Sequence, residues 1–287
     1  MTSLCDAALI VLGCDDAHEK AHKTRAFAKD WRANNIHIIG QAQDMPDRPA
    51  RPDKPELRHP TQMPKRRKAG SDRSKIALLH ALSHIELNAI DLAWDIMARF
   101  SFLSAENVAD KTAFSLPKAF FEDWMKVADD EAKHFLMLSD RLTDFGAAYG
   151  DLPAHDGLWE SSTRTAHDFP ARLAIVPMVL EARGLDVTPH MITLMTEQGD
   201  EKTANMLRII HDDEITHVRA GTVWFEKWCE YHNLDREEYW QGLVRTYFTG
   251  PLKRPFNHPS REEAGMIRDW YDPLADIEFT SNNDQNT

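Results

Sequence analysis

The sequence predicts an all-α protein built on a four-helix bundle, with a helical and proline-rich extension before the bundle and further helices after it. Four long stretches carry apolar residues at helical spacing. Two of these stretches contain the same motif, Asp-Asp-Glu-x-x-His, at residues 129–134 and 212–217. A Glu and a His three residues apart project from one face of a helix. Each copy therefore presents a carboxylate and an imidazole together, as a metal site in a bundle core requires.

Composition narrows the class of protein. Of 287 residues, 42% are hydrophobic and 28% are charged, which is ordinary for a globular protein with a sizeable core. The net charge of −12 argues against a general nucleic-acid binder, because little in the chain would neutralise a run of phosphates. Three widely spaced cysteines (Cys5, Cys14 and Cys229) indicate neither a disulfide framework nor a zinc site. So few cysteines are typical of a protein of the reducing cytoplasm, and with no apolar run of membrane-spanning length we expect no membrane partner.

The first segment, residues 1–70, combines helical and extended character. Residues 1–35 have apolar positions that predict one or two helices. Residues 40–70 contain six prolines interleaved with charged residues, a spacing that forbids a helix and predicts an extended wrap or linker. The basic run at 65–68 is predicted to solvate this linker. The bundle is predicted to begin near residue 70.

The first bundle helix is predicted to run from Ser71 or Asp72, either of which can cap it, to about Phe100. Its apolar stripe contains Glu86. A carboxylate on a buried helix face is costly unless it is paired or bound to a metal. Taken alone, Glu86 is better explained by a salt bridge to a neighbouring helix than by a metal.

The second bundle helix is predicted from Pro117, which is tolerated in a first helical turn, to about Phe145. Its apolar stripe encloses Glu131 and His134. The directly preceding Asp130 can accept the second ring N–H of a histidine on an opposite helix, which would fix the tautomer of that ligand.

The third bundle helix is predicted over residues 168–183, with a kink at Pro177 and with Glu181 one turn further on. Gly184 is predicted to end this helix, and Thr188–Pro189 to open a short one. Glu181 shares its face with apolar residues, as Glu86 does in the first helix.

The fourth bundle helix is predicted from about Asp200 to Tyr231, with Glu214 and His217 inside its apolar stripe. His211 lies one turn earlier on the same face. It is a third imidazole ligand, an acid or base in a substrate pocket, or a hydrogen-bonded core histidine beside the ligands. The extension at 233–287 is predicted to contain two more helices, at 235–248 and 260–271, and a disordered polar end.

Two metal ions are the simplest explanation of this pattern. Four buried carboxylates and two imidazoles would be badly unbalanced without positive charge, and carboxylates can bridge two cations while open positions remain for dioxygen or substrate. Asp130 is predicted to pair with His217, and Asp213 with His134. A single zinc held as in a metalloprotease needs His-Glu-x-x-His, which the sequence lacks. The predicted ligands are Glu86, Glu131, His134, Glu181, Glu214 and His217.

Three segments carry a resemblance to known proteins: His80–Glu86, Leu180–Pro189 and Pro255–Asn257. With the ligand pattern, they are similar to the ferritin-like superfamily, and most similar to an uncharacterised bacterial family within it that is catalogued as a domain of unknown function. The resemblance extends over nearly the whole chain. It implies a ferritin-like bundle with two iron ions, or a mixed Mn/Fe pair, at the six predicted ligands.

The resemblance does not decide the reaction, because ferritin-like relatives such as ferritins, monooxygenases and ribonucleotide reductase small subunits share ligands but differ in function. The hypothesis we favour is an oxidoreductase that uses dioxygen on a small substrate, with an external electron donor. The alternative is an iron- or manganese-binding ferroxidase, storage or peroxide-detoxifying protein without an organic substrate. The sequence leaves the oligomeric state open.

Overall fold

The structure, a computed structural model, describes residues 2–42, 44–63 and 70–279, and these residues are predominantly helical. A π-helical segment, Val176–Glu181, joins the helix that ends at Ile175 to the helix that begins at Ala182. Among the described residues, β-pairing is limited to isolated bridges, so the predicted all-α class is confirmed. The helices are α1 (Leu4–Leu12), α2 (Ala17–Arg32), α3 (Asp72–Arg99), α4 (Lys118–Asp144), α5 (Gly157–Arg164), α6 (Phe169–Ile175), α7 (Ala182–Glu197), α8 (Glu201–His232), α9 (Arg236–Tyr247), α10 (His258–Glu263) and α11 (Arg268–Tyr271).

The chain divides into two compact units, Met1–Trp159 and Glu160–Thr287. In the first unit α3 and α4 pack along one another, α2 packs on α4, and α1 packs on α3. In the second unit α7 and the π-helical segment pack against α8, and α6 packs against α8 and α9. Each unit thus contains a pair of long packed helices. The domain boundaries predicted at residues 70 and 232 stay predictions.

Buried ion pairs fasten the N-terminal segment to the long helices of the first unit. Lys20 Nζ on α2 donates to Asp91 Oδ1 on α3 at 2.6 Å and to the carbonyl oxygen of Ala50 at 2.9 Å. Arg51 lies 3.1 Å from the other oxygen of Asp91. Because Lys20 and Asp91 are almost fully buried, the pair needs this close geometry to offset desolvation.

The basic run at 65–68 and the polar end from residue 280 lie outside the described residues.

The helix α3 is long and apolar enough, by length and composition alone, to cross a membrane. However, 67% of its most apolar 18-residue stretch is buried inside the protein. It also carries buried carboxyl groups at Glu86, Asp91 and Asp95. These features are typical of a core helix, and its predicted start is confirmed by a capping box in which Ser71 accepts from the backbone N–H of Ser74.

The predicted break after Gly184 is wrong, because α7 continues from Ala182 to Glu197 with Pro189 inside it. A proline at this position cannot donate to the carbonyl four residues earlier, that of Leu185. The side-chain amide of Asn257 replaces the missing donor, at 3.1 Å from the oxygen of Leu185. Tertiary contact therefore satisfies the group that the sequence pattern left unpaired.

The C-terminal segment is tied to the same turn of α7 by a buried ion pair. Arg261 donates from Nε and Nη2 to the two carboxylate oxygens of Asp186, at 2.9 and 2.8 Å. The helix predicted at 260–271 is instead two short helices, α10 and α11, separated by Gly265, whose φ of +89° suits glycine. The kink predicted at Pro177 falls inside the π-helical segment.

Candidate functional site

Glu86, Glu131 and His134 lie together in the core of the first unit. Each offers one nitrogen or oxygen atom that could bind a metal, and these atoms lie within 4.8 Å of one another. His134 Nδ1 is 3.3 Å from Glu86 Oε2 on α3 and 3.6 Å from Glu131 Oε2 on its own helix. Packing of α3 against α4 therefore brings an imidazole nitrogen to two carboxylates that are 48 and 3 residues away along the chain.

The carboxyl groups of this cluster are in an unfavourable environment for free negative charge. All three side chains are almost fully buried. Burial first, and then the negative charge of Glu131, raise the pKa of Glu86 well above its usual range, and the nearby His134 opposes this only in part. A bound cation would offset the cost of burying negative charge, because it would compensate the charges of both carboxylates.

The second unit repeats the Glu–His geometry on α8. His217 Nδ1 lies 3.6 Å from Glu214 Oε2, the same separation as in the first motif. Both side chains are buried. A spacing of three residues on a regular helix therefore produces the same donor pair in both units.

Glu181 is the last residue of the π-helical segment, and it is partly exposed. This segment packs against α8, the helix that carries Glu214. Extra residues in a helical turn redirect the side chains that follow, and π-helical segments occur frequently at functional sites. Within the second unit, no three described ligand side chains come as close together as the cluster around His134 does.

The residues predicted to lie beside the ligands have partners in the structure. Asp130 accepts from Lys126 at 2.6 Å and from Lys133 at 2.9 Å. Nε2 of His211 lies 3.4 Å from the hydroxyl of Ser260 in the C-terminal segment. The pairings predicted for Asp130 and Asp213 with histidines of the other motif stay predictions.

Helical spacing rotates His80 and His84 away from Glu86 and predicts a surface or interhelical position for both, but it does not indicate what surrounds them. Both are buried against the connection that follows α4. His84 Nδ1 lies 2.8 Å from the hydroxyl of Tyr149, and His80 Nε2 accepts from the backbone N–H of Gly150 at 2.9 Å. The pattern places both histidines away from Glu86, but it could not predict which loop would cover them.

Arg183 follows Glu181 by two residues, a spacing that predicts contact with a neighbouring helix or an anionic substrate. In the structure Arg183 binds backbone instead. Its guanidinium donates to the carbonyl oxygen of Lys253 at 2.8 Å and lies 3.4 Å from that of Pro255. Arg183 therefore joins Asp186 in holding the C-terminal segment on α7.

Comparison with known proteins finds similarity over most of the chain. An uncharacterized protein of Haemophilus influenzae (strain Rd) is 38% identical over 229 residues, which cover 80% of this chain and 77% of that protein. No solved structure matches the chain. Residues 13–272 match a family described as "Protein of unknown function (DUF455)". The chain therefore belongs to this family of proteins of unknown function.

Proposed function

We propose that the protein is a dimetal-carboxylate oxidoreductase that uses dioxygen on a small substrate, with the fold of a ferritin-like four-helix bundle. The observation that carries the proposal is the approach of His134 Nδ1 to two buried carboxylates, at 3.3 and 3.6 Å. Two donor atoms that each lie about 2.1 Å from one ion, at an angle between a right angle and a tetrahedral angle, are themselves about 3.0–3.5 Å apart. The separations in the cluster are close to that expectation.

The chemistry of the donors suits iron or manganese. Carboxylate oxygen with imidazole nitrogen is the donor set of non-haem iron and manganese sites, whereas thiolate donors are missing from this cluster. When bound, two such ions supply the redox chemistry of dioxygen. The protein's own residues bind the ions, and the apolar core around Glu131 excludes water from them.

The two motifs together supply the number and kind of ligands that a two-metal centre requires. Each half contributes two carboxylates and one imidazole if Glu181 joins Glu214 and His217, which together make the four carboxylates and two imidazoles of a bridged pair of ions. The equal 3.6 Å Glu–His separations in the two halves agree with equivalent roles.

Metal content tests the ligand assignment. Glu131→Ala and Glu214→Ala are each expected to lower the iron content from about two ions per chain, the stoichiometry of such a bundle site. Glu122→Ala, which removes an exposed carboxylate from the same helix as Glu131, is the control and should leave the metal content unchanged. Elemental analysis of protein from iron-replete cells provides the measurement. Wild-type protein without metal would contradict the whole proposal.

Magnetic measurements separate one bridged centre from two isolated ions. A carboxylate-bridged pair of ferric ions is expected to show antiferromagnetic coupling in its magnetic susceptibility, and isolated ions would behave as independent spins.

Iron uptake distinguishes the enzyme from the ferroxidase or storage alternative. Exposure of the Fe(II) protein to dioxygen should oxidise about two ions per chain and then stop unless an electron donor is added. Accumulation far beyond that stoichiometry would favour storage.

A further inference from the structure

A cleft opens in the first unit between the C-terminal end of α2 and the first half of α4. Its volume is about 350 Å³, which lies within the range of sites for small molecules. The lining residues are Trp31, Arg32, Asn34, Lys118, Glu122, Met125 and Lys126.

The charge of this cleft is opposite to that of the chain. Its lining contains three cationic side chains and one carboxylate, whereas the whole chain has a net charge of −12. Arg32, Lys118 and Lys126 are each more than half exposed. Trp31 and Met125 are buried and supply an apolar floor. An apolar floor with a cationic rim is complementary to an organic anion.

Two of the rim cations can bind an anion without leaving a carboxylate unpaired. Asp129 pairs with Arg32 and Asp130 pairs with Lys126, and each of these carboxylates has a second cationic partner that does not line the cleft. An anion that shares Arg32 and Lys126 therefore leaves a second cation beside each acid. The four ion pairs are Arg32–Asp129 (2.8 Å), Arg25–Asp129 (3.7 Å), Lys126–Asp130 (2.6 Å) and Lys133–Asp130 (2.9 Å).

We propose that this cleft binds a small organic anion, with its apolar body against Trp31 and Met125 and its carboxylate or phosphate among the three rim cations. Lys118 Nζ lies 5.3 Å from the centre of the Trp31 ring, so the indole holds one cation over the apolar floor. Glu131 is rotated by about 140° from Lys126 around α4. The anion site therefore lies on another face of the helix and does not depend on the proposed metal centre.

The methyl group of Met125 provides a local probe of binding. In protein labelled with ¹³C at methionine methyl groups, the Met125 signal is assigned by its loss in Met125→Leu. Phenyl phosphate and benzoate should each shift this signal saturably, with Kd below about 1 mM. Benzyl alcohol and benzylamine, which keep the ring but lack the negative charge, should not shift it. Inorganic phosphate should bind more weakly than phenyl phosphate because it lacks the apolar body.

Charge removal tests the rim. Arg32→Gln, Lys118→Gln and Lys126→Gln should each weaken phenyl phosphate binding by about three- to tenfold. Lys29→Gln removes an exposed charge from the same helix as Arg32 but outside the cleft, and it should change the affinity by less than about 1.5-fold. The proposal is overturned if neither anion shifts Met125, if benzyl alcohol binds as well as phenyl phosphate, or if the rim variants match Lys29→Gln.

Discussion

Tyr149 shows how single side chains determine the protonation of a buried site. The carbonyl oxygen of His155 lies 3.1 Å from His84 Nε2 and can only accept, so Nε2 carries the proton. His84 Nδ1 is then the acceptor for the hydroxyl of Tyr149, at 2.8 Å. Burial first, and then the positive charge of Arg51, lower the pKa of His84 to about 3, which keeps the ring neutral.

Removal of this hydroxyl should destabilise the first unit. Tyr149→Phe leaves His84 Nδ1 buried without its donor, which is expected to lower the free energy of unfolding by about 1–3 kcal/mol. Tyr231→Phe, at a side chain that is 50% exposed, is the control and should change stability by less than about 0.5 kcal/mol. Urea unfolding measures both variants. Equal midpoints for the two would mean that the Tyr149–His84 hydrogen bond contributes nothing.

Sequence reasoning at the residue scale succeeded where the predicted ligands share a helix. A spacing of three residues determines that Glu131 and His134 project together, and the structure places their donor atoms 3.6 Å apart. The same reasoning could not reach Tyr149, because the loop after α4 has no periodicity. Its contact with His84, 65 residues earlier, depends on how the loop folds back.

At the scale of elements, helix α7 contradicts the rule that glycine and proline usually break a helix. Glycine and proline at 184 and 189 predict a break, yet the helix continues because α7 packs along α8 and Asn257 supplies the donor that Pro189 lacks. Two of the segments that carry the family resemblance, Leu180–Pro189 and Pro255–Asn257, are therefore parts of one structural feature. Either segment alone gives no signal of it.

The packing of α8 against the π-helical segment depends on a glycine. A Cβ atom on Gly221 would lie 2.6 Å from Cβ of Pro177 and 3.4 Å from Cγ of Met178. Gly221→Ala should therefore destabilise the protein by about 1–3 kcal/mol, although alanine is the better helix former.

Gly242→Ala is the matched control for this prediction. Gly242 is an exposed residue in the interior of α9, and a Cβ atom there would meet nothing within 4 Å. The substitution should stabilise the protein by about 0.5–1 kcal/mol through helix propensity alone. Thermal or urea unfolding of the two variants gives opposite signs if the close approach of α8 to Pro177 is correct, and the same sign if it is not.

At the scale of the whole molecule, burial changes the titration of tyrosines in both units. Burial is the main cause that raises the pKa of Tyr149, Tyr239 and Tyr247, and it raises the pKa of Tyr271 to about 12. The hydroxyl of Tyr271 also lies 2.7 Å from Nδ1 of His258. In the unfolded chain these phenols would ionise near pH 10.

Alkaline stability follows with a definite sign. Between pH 10 and about 12 the unfolded chain binds fewer protons than the folded protein, so the free energy of unfolding should fall as pH rises. Urea midpoints measured at intervals across this range test the expectation. Tyr271→Phe should make the fall shallower than in wild type. A slope that Tyr271→Phe does not change would mean that this phenol ionises equally in both states.

The sequence by itself determined the helical class, the long helices at 71–100, 117–145 and 200–231, and the two Glu–His pairs, because helical periodicity acts over only a few residues. Tertiary structure decided everything that depends on distant neighbours. It brought Glu86 to His134, continued α7 through Pro189, and covered His80 and His84 with a loop. Local spacing sets which face a side chain occupies, whereas contact across the chain depends on packing that no short pattern encodes.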